Sequence, residues 1–268
     1  MADRRFLDRY RAFLLDIDGV LVRGAAPLSG AVRAVRSLQE RGRCLFLTNN
    51  SSRSRSGLSE RLAGLGFSAD VDDVVPSSYI AARHLATVAG QVTYWLIGED
   101  GLGEELRHAG HRPADRPEDA DWVVAGIDRA ISYERLGGAL RALRSGARLL
   151  GTNIDPTFPG SEGLLPGAGA IVGALKGMGF PAEAVVGKPS PIAFRVALER
   201  LDVDPASILM IGDRLETDIL GGAEAGLDTA LVLTGVAARE DASSAIRPTW
   251  ISESLAALVA GEVVSGSG

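Results

Sequence analysis

The chain of 268 residues contains one cysteine, Cys44. A single thiol closes no disulfide within the chain and builds no cysteine-based metal site. It sits in the apolar run Cys44-Leu45-Phe46-Leu47, where a thiol packs as a small hydrophobe. Aromatic residues are scarce at 5%, although hydrophobic residues make up 46%. The apolar content is therefore mostly Ala, Val, Leu and Ile, which suits helices packed closely on a buried sheet. There is no long basic run, and the formal net charge is -6. Gripping a phosphate backbone needs a concentrated basic face, so no nucleic acid polymer is expected as a partner. The amino-terminal segment is charged and lacks an uninterrupted apolar stretch, so it is read as neither a signal peptide nor an anchor. No membrane partner is expected, and the expected location is the cytoplasm. The closing residues Ser265-Gly266-Ser267-Gly268 are small and polar, and fraying is expected there.

Short apolar runs alternate with helical patterns. Ala12-Phe13-Leu14-Leu15 reads as a compact strand ending at Asp16, with a turn at Gly19. A helix is predicted over 31–41, with Val32, Val35 and Leu38 at helical spacing and Gly42 as its stop. A strand over 44–47 and a helix over 56–65 follow. The same grammar returns late in the chain, with a helix over 190–201, a strand over 208–211, a helix over 219–225 and a strand over 229–233. Strand–helix–strand order argues for parallel pairing with right-handed crossovers, and the two ends of the chain can complete one doubly wound α/β sheet. The middle carries its own strands, 92–97, 122–125 and 148–150, and helices, 104–109 and 133–145. We therefore expect a core of residues 1–78 and 183–268 with an inserted α/β domain over 79–182.

Four strand ends carry polar residues of particular kinds. Asp16 and Asp18 fall on one side at the carboxyl end of the first strand, where open α/β sheets bind ligands. Two carboxylates so placed repel unless a cation lies between them, and Mg²⁺ is the usual hard cation of phosphate chemistry. Alone, the pair also fits a solvated turn opened by an acid. Thr48, Asn49 and Asn50 end the second strand, where a hydroxyl, amides and backbone N–H groups can hold phosphate oxygens; the same residues make good helix caps. Lys188, in Gly187-Lys188-Pro189, can bring a point charge to a phosphate or between carboxylates, or can simply be solvated. Asp213 follows the apolar run 208–211 and Gly212, which suits a second metal carboxylate. Asp218 can orient a metal-bound water or Lys188, although acids are also common in a first helical turn. The joint occurrence outweighs each single reading, because nucleophile, metal carboxylates, hydroxyl and cation appear together.

Asp16-Ile17-Asp18-Gly19-Val20-Leu21, Thr48-Asn49-Asn50, Gly187-Lys188-Pro189-Ser190-Pro191 and Gly212-Asp213 with Asp218 resemble, in order, the four motifs of the haloacid dehalogenase (HAD) superfamily. An insertion between the second and third motifs is the place of a type II cap. The phrases 126–129, 152–157 and 163–167 look like its class IIA branch, which includes NagD-like nucleotide phosphatases and 4-nitrophenyl, phosphoglycolate and pyridoxal phosphatases. Ile154 stands where that branch often has proline.

The resemblance implies an Mg²⁺-dependent phosphatase acting on a small phosphorylated metabolite. It makes Asp16 the nucleophile and Asp18 the general acid and base. Asp16, the Asp18 backbone carbonyl and Asp213 would hold the metal, and Asp218 would stand behind it. Thr48, Asn49, Asn50 and Lys188 would bind phosphate. Asp128, Arg129, Asn153 and Asp155 of the cap would face the leaving group, and the cap could support a homodimer. Two other classes share part of this pattern. A receiver domain of a signalling relay also uses Asp, Thr and Lys at strand ends, but carries its extra acids on an earlier strand and has no large insertion. A dinucleotide-binding dehydrogenase is suggested by Gly98-Glu99-Asp100-Gly101-Leu102-Gly103, yet the spacing differs from the fingerprint and acids stand where pyrophosphate would lie. Phosphotransfer to an alcohol instead of water stays open, as does the identity of the substrate.

Overall fold

A computed structural model of the chain describes residues 4–160, 163–236 and 245–266. The chain divides into two compact units, residues 1–48, 59–75 and 188–268 in one, and 49–58 and 76–187 in the other.

The first unit is built on a seven-stranded sheet. From one edge the strands are Val264–Ser265, Trp250–Ser252, Asp228–Val232, Ile208–Gly212, Ala12–Leu15, Arg43–Thr48 and Val74–Pro76. Ala12–Leu15 pairs in parallel with Ile208–Ile211 on one side and with Arg43–Phe46 on the other. All four of its residues are fully buried. A strand covered on both faces has to be apolar throughout, which is why it reads as a continuous run rather than an alternation. The helix Ala31–Gln39 buries Ala31, Ala34, Val35 and Leu38, one stripe at helical spacing. The helix Pro191–Leu201 opens with proline in its first turn, after Ser190, whose Oγ accepts from Ile192 N. Fraying at the carboxyl end does not extend to Ser265 and Gly266. Ser265 pairs antiparallel with Trp250, and Gly266 N donates to Thr249 O at 3.1 Å. Ser267 and Gly268 lie outside the described residues.

The second unit has a five-stranded parallel sheet in the order Ala184–Val185, Arg148–Gly151, Trp122–Ala125, Thr93–Ile97, Arg112–Pro113. A separate hairpin pairs Thr157–Gly160 with Gly163–Pro166. Its core gathers Ile97, Val123, Ala142, Leu149 and Leu175. The helix Tyr133–Arg144 is capped by Ser132, whose Oγ accepts from Arg135 N at 3.1 Å. Two helices, Ser77–Ala89 and Ala168–Gly177, have no counterpart in the sequence expectations. The second contains Gly169, Gly173 and Gly177, which lower intrinsic helix propensity and hide the pattern. The helix expected over 104–109 begins earlier, at Asp100, and absorbs Gly101 and Gly103. Gly101 has no room for a side chain because a Cβ there would collide with the backbone of Arg53 and Ser54.

Segment 49–58 groups with this second unit, whereas the expected partition places it in 1–78. Its bonds explain the grouping. Ile127 N donates to Ser51 Oγ at 3.0 Å, Arg55 N to Glu105 Oε1 at 2.6 Å, and Ser78 Oγ to Arg53 O at 2.7 Å. No helix among the described residues is long and apolar enough to cross a membrane.

Replacing Leu14 by alanine leaves a cavity between two covered sheet faces and should cost about 2–5 kcal/mol in urea denaturation. Ser132→Ala, which removes one cap, should cost about 1 kcal/mol.

Candidate functional site

Parallel register decides which residues meet in the first unit. Leu15 lies level with Phe46 and Ile211. Asp16, Thr48 and Asp213 therefore emerge together at the carboxyl edge of adjacent strands, and Asp16 N donates to Ile211 O at 2.9 Å. Asp16, Thr48, Lys188, Asp213 and Asp218 are all buried, and Asp18 is half-buried. The turn after Asp16 needs Gly19 in the left-handed region, with φ 87°. A Cβ on Gly19 would also collide with the Asp213 carboxylate.

Lys188 stands at the centre. Its Nζ donates to Asp16 Oδ1 at 2.6 Å, to Asp218 Oδ1 at 2.7 Å and to Leu47 O at 3.0 Å. An ammonium has three N–H donors, and each has an acceptor here. Asp218 is carried on one π-helical turn, Leu215–Ile219, that follows the strand Ile208–Gly212. Its Oδ2 accepts from Asp213 N at 3.2 Å and Arg214 N at 3.1 Å. Gly212 is required beneath it, since any Cβ would overlap the Asp218 side chain. Asp213 Oδ2 accepts from Val236 N at 2.8 Å, while its buried Oδ1 has no hydrogen-bond partner among the described residues.

Carboxylate oxygens of Asp16, Asp213 and Asp218 lie within 4.8 Å of one another. Three carboxylates against one ammonium leave two uncompensated negative charges in a buried place. That is the charge a divalent cation would offset, and an all-oxygen donor set suits a hard ion. The partnerless Asp213 Oδ1 points to the same conclusion, so the residues present fit a metal. The carboxylate of Asp18 is not a member of the converging group, and Asp218 is. Both Asp218 oxygens are engaged by Lys188 and by backbone N–H groups, which suits a supporting role rather than direct ligation.

The electrostatics follow from burial. Desolvation pushes the Asp16 carboxyl up, and Asp218 and Asp213 push it further, against the pull of the Lys188 charge. Desolvation, with Asp218 adding to it, raises Asp213 to about 6. Burial also raises Asp18, opposed by Arg61, Lys188 and Arg214. For Lys188, burial alone would lower the pKa, but Asp16 and Asp218 outweigh it and the ammonium is held charged. Sequence reading missed Arg61, which looks like an ordinary helix residue, and the Val236 amide, which no side-chain pattern can announce.

The other expected residues are bonded within the second unit. Asn50 Oδ1 accepts from Ser52 N and Ser52 Oγ, both at 2.9 Å. Asn49 Nδ2 donates to Asp155 Oδ2 at 3.0 Å, and Asn153 Nδ2 donates to Asn49 O at 2.8 Å. Asp128 pairs with Arg135 at 2.8 Å. Arg129 makes a two-pronged pair with Glu99, at 2.7 and 2.9 Å. The expectation that these four cap residues face a leaving group has to reckon with the partners they already hold.

The haloacid dehalogenase-like hydrolase family model matches residues 13–112, and a HAD-hydrolase-like model matches residues 185–258. A 5'-nucleotidase of Bacillus subtilis is 36% identical over 248 residues, covering 92% of this chain and 96% of its own. This chain belongs to the haloacid dehalogenase-like hydrolase family. Among solved structures, a p-nitrophenyl phosphatase from Archaeoglobus fulgidus superposes with a TM-score of 0.88 at 36% identity, covering 93% of this chain and 98% of its own. A glycerol phosphate phosphatase from Mycobacterium tuberculosis, solved in complex with magnesium, superposes with a TM-score of 0.87 at 38% identity, covering 94% of this chain and 77% of its own. The same protein has been solved with calcium. Similarity to named phosphatases over nearly the whole chain places this hydrolase among the class IIA members and makes it a phosphoric monoester hydrolase. The glycine-rich stretch 98–103 runs into the start of the helix Asp100–His108, and Gly101 packs there against the backbone of Arg53 and Ser54.

Removing the central cation of this hydrolase separates charge from packing. In Lys188→Met the acids must ionise without a partner, and they can escape only by binding protons. Stability of the variant should therefore fall further below wild type as pH rises, so the gap in Tm should be wider at about pH 8 than at about pH 5.

Proposed function

We propose that this chain hydrolyses a small-molecule phosphate monoester through a phospho-aspartate on Asp16. The observation that carries the reading is the Lys188 ammonium hydrogen-bonded to both Asp16 and Asp218 beside a third buried carboxylate. Asp16 and Asp213 would hold Mg²⁺ through their carboxylates, with the Asp18 carbonyl as a third ligand. When bound, Mg²⁺ supplies positive charge that lets a carboxylate approach a phosphate anion.

In the first step an Asp16 oxygen attacks phosphorus and the bond to the leaving oxygen breaks. Asp18 gives its proton to that oxygen. Burial keeps the Asp18 carboxyl protonated to higher pH than an exposed one, which suits an acid. In the second step a water attacks the phosphorus, Asp18 takes its proton, and the acyl phosphate bond opens to release orthophosphate and restore Asp16. Splitting one displacement into two is the benefit of a covalent nucleophile. Lys188 keeps Asp16 ionised and aimed, and lends its charge to the phosphoryl group. Thr48 offers a hydroxyl to phosphate oxygens, Asn49 and Asn50 lie next along the chain, and Asp218 anchors Lys188. We place Mg²⁺ first among divalent ions because hard oxygen ligands and phosphate chemistry favour it.

Asp16→Asn should fold normally and lose at least about three orders of magnitude in kcat on p-nitrophenyl phosphate, as removal of a nucleophile does; full activity would refute the assignment. Adding Mg²⁺ should raise Tm. Below about pH 6 Asp213 carries a proton and is a poor ligand. Its folded-state pKa lies above the ordinary carboxyl value, so the metal-free protein loses stability as pH rises through this window, and the Tm gain from Mg²⁺ should grow over the same range. The gain should vanish in Asp213→Asn. A panel of sugar, glycerol and nucleoside monophosphates, read as kcat/KM, ranks the substrate class.

A further inference from the structure

The loop Thr152-Asn153-Ile154-Asp155 has bonds that the proposed reaction does not use. Asn153 Nδ2 donates to Asn49 O at 2.8 Å, Asn49 Nδ2 donates to Asp155 Oδ2 at 3.0 Å, and Asp155 N donates to Asn153 Oδ1 at 3.1 Å. These three bonds close a ring. The orientation of the Asn153 amide is forced, since a carbonyl can only accept and a backbone N–H can only donate. Ser77 Oγ donates to the same Asn49 carbonyl at 2.7 Å. The loop also takes hold of a second segment, because Gly187 N donates to Thr152 O at 2.7 Å. A Cβ at Gly187 would stand 2.6 Å from Asn49 Oδ1 and 3.0 Å from Asn153 Cβ, so only glycine fits. From the other side, Gly169 N at the start of the helix Ala168–Gly177 donates to Asp155 O at 3.0 Å. Asn153 itself is 1% exposed.

One loop thus grips two of the four places where the chain passes from one unit to the other, the two next to Thr48 and Lys188. Asn49 is the residue after Thr48, and Gly187 is the residue before Lys188. We propose that Asn153 and Asp155 are positioning residues for the phosphate grip. By holding the Asn49 and Gly187 peptides they set the backbone that delivers Thr48 and Lys188. The inference rests on the phosphatase reading above. Lys188 must meet three acceptors at once, and a shift of about 1 Å in its peptide spoils hydrogen bonds whose range is narrower than that. Direct contact with a leaving group is the competing role for an amide and a carboxylate on a cap loop. Here both polar atoms of Asn153 are engaged and its side chain is buried, which argues for support.

Orthophosphate separates the two roles because it has no leaving group. Asn153→Ala, Asp155→Ala and Asp155→Asn would be compared with wild type by kcat/KM on p-nitrophenyl phosphate and glycerol phosphate, and by the inhibition constant of orthophosphate. Both alanine variants should lose a similar factor, roughly 10- to 100-fold, on both esters and in orthophosphate binding. Asp155→Asn keeps an oxygen that accepts from Asn49 and should stay within about threefold of wild type. Hydrogen exchange on the metal-free alanine variants should quicken in peptides covering 44–50 and 186–190, without global unfolding. Unchanged orthophosphate binding with an ester-dependent loss would overturn the inference in favour of leaving-group contact. Asp155→Asn as damaged as Asp155→Ala, or unchanged exchange in those two peptides, would overturn it as well. Wild-type protein that neither turns over any ester nor binds orthophosphate would instead sink the phosphatase reading itself, and the inference with it.

Discussion

A buried ammonium that satisfies two carboxylates and a carbonyl is the interaction on which the first unit's site depends. Lys188 is 3% exposed, and burying a charge is tolerable only when it is paired and hydrogen-bonded. Asp16 and Asp218 supply the pairing, yet they overshoot, because Asp213 brings a third negative charge into the same space. The site is therefore anionic by construction. In the proposed reaction this anionic pocket would receive an anionic phosphate, which calls for added positive charge, and that logic ties the lysine, the proposed metal and the substrate into one account.

The rest of the first unit serves that arrangement. Parallel register brings the ends of Ala12–Leu15, Arg43–Thr48 and Ile208–Gly212 to one edge. Gly19 and Gly212 leave space for acidic side chains that a Cβ would displace. The π-helical turn adds the extra residue that points Asp218 back beneath Asp213, where it caps two backbone N–H groups and anchors Lys188. Strain or irregularity in a helix start is common where function needs a side chain aimed in a particular direction.

The second unit tells a different story about polar residues. Asp128, Arg129, Asn153 and Asp155 are bonded within it, and their residue types alone do not reveal whether a loop amide binds a substrate or a neighbouring peptide. Substrate choice within one fold rests on loops and exposed side chains, so relatives of similar architecture carry names as different as nucleotidase and glycerol phosphate phosphatase.

Much of this was legible in the chain itself. The run Ala12–Leu15 had to be a covered strand, since four apolar residues in a row suit a sheet buried on both sides. Asp16, Asp18, Thr48 and Asp213 stand at or just past the ends of such runs, and strand ends are where parallel sheets place chemistry; Lys188, expected at a strand end as well, instead lies just ahead of the helix Pro191–Leu201. Local pattern also located the helix Ala31–Gln39 through its stripe and the glycine after it. What local pattern could not show is partnership between residues far apart in sequence. The three bonds of Lys188, the Val236 amide on Asp213, the influence of Arg61 on Asp18 and the ring joining Asn49 to Asn153 and Asp155 all depend on which segments the sheets bring side by side. Hydrophobic periodicity is a property of neighbours along the chain and determines the elements. Hydrogen bonding and charge balance are properties of neighbours in space, so only the folded structure decided which of the polar residues converge and which are spent on holding the loops.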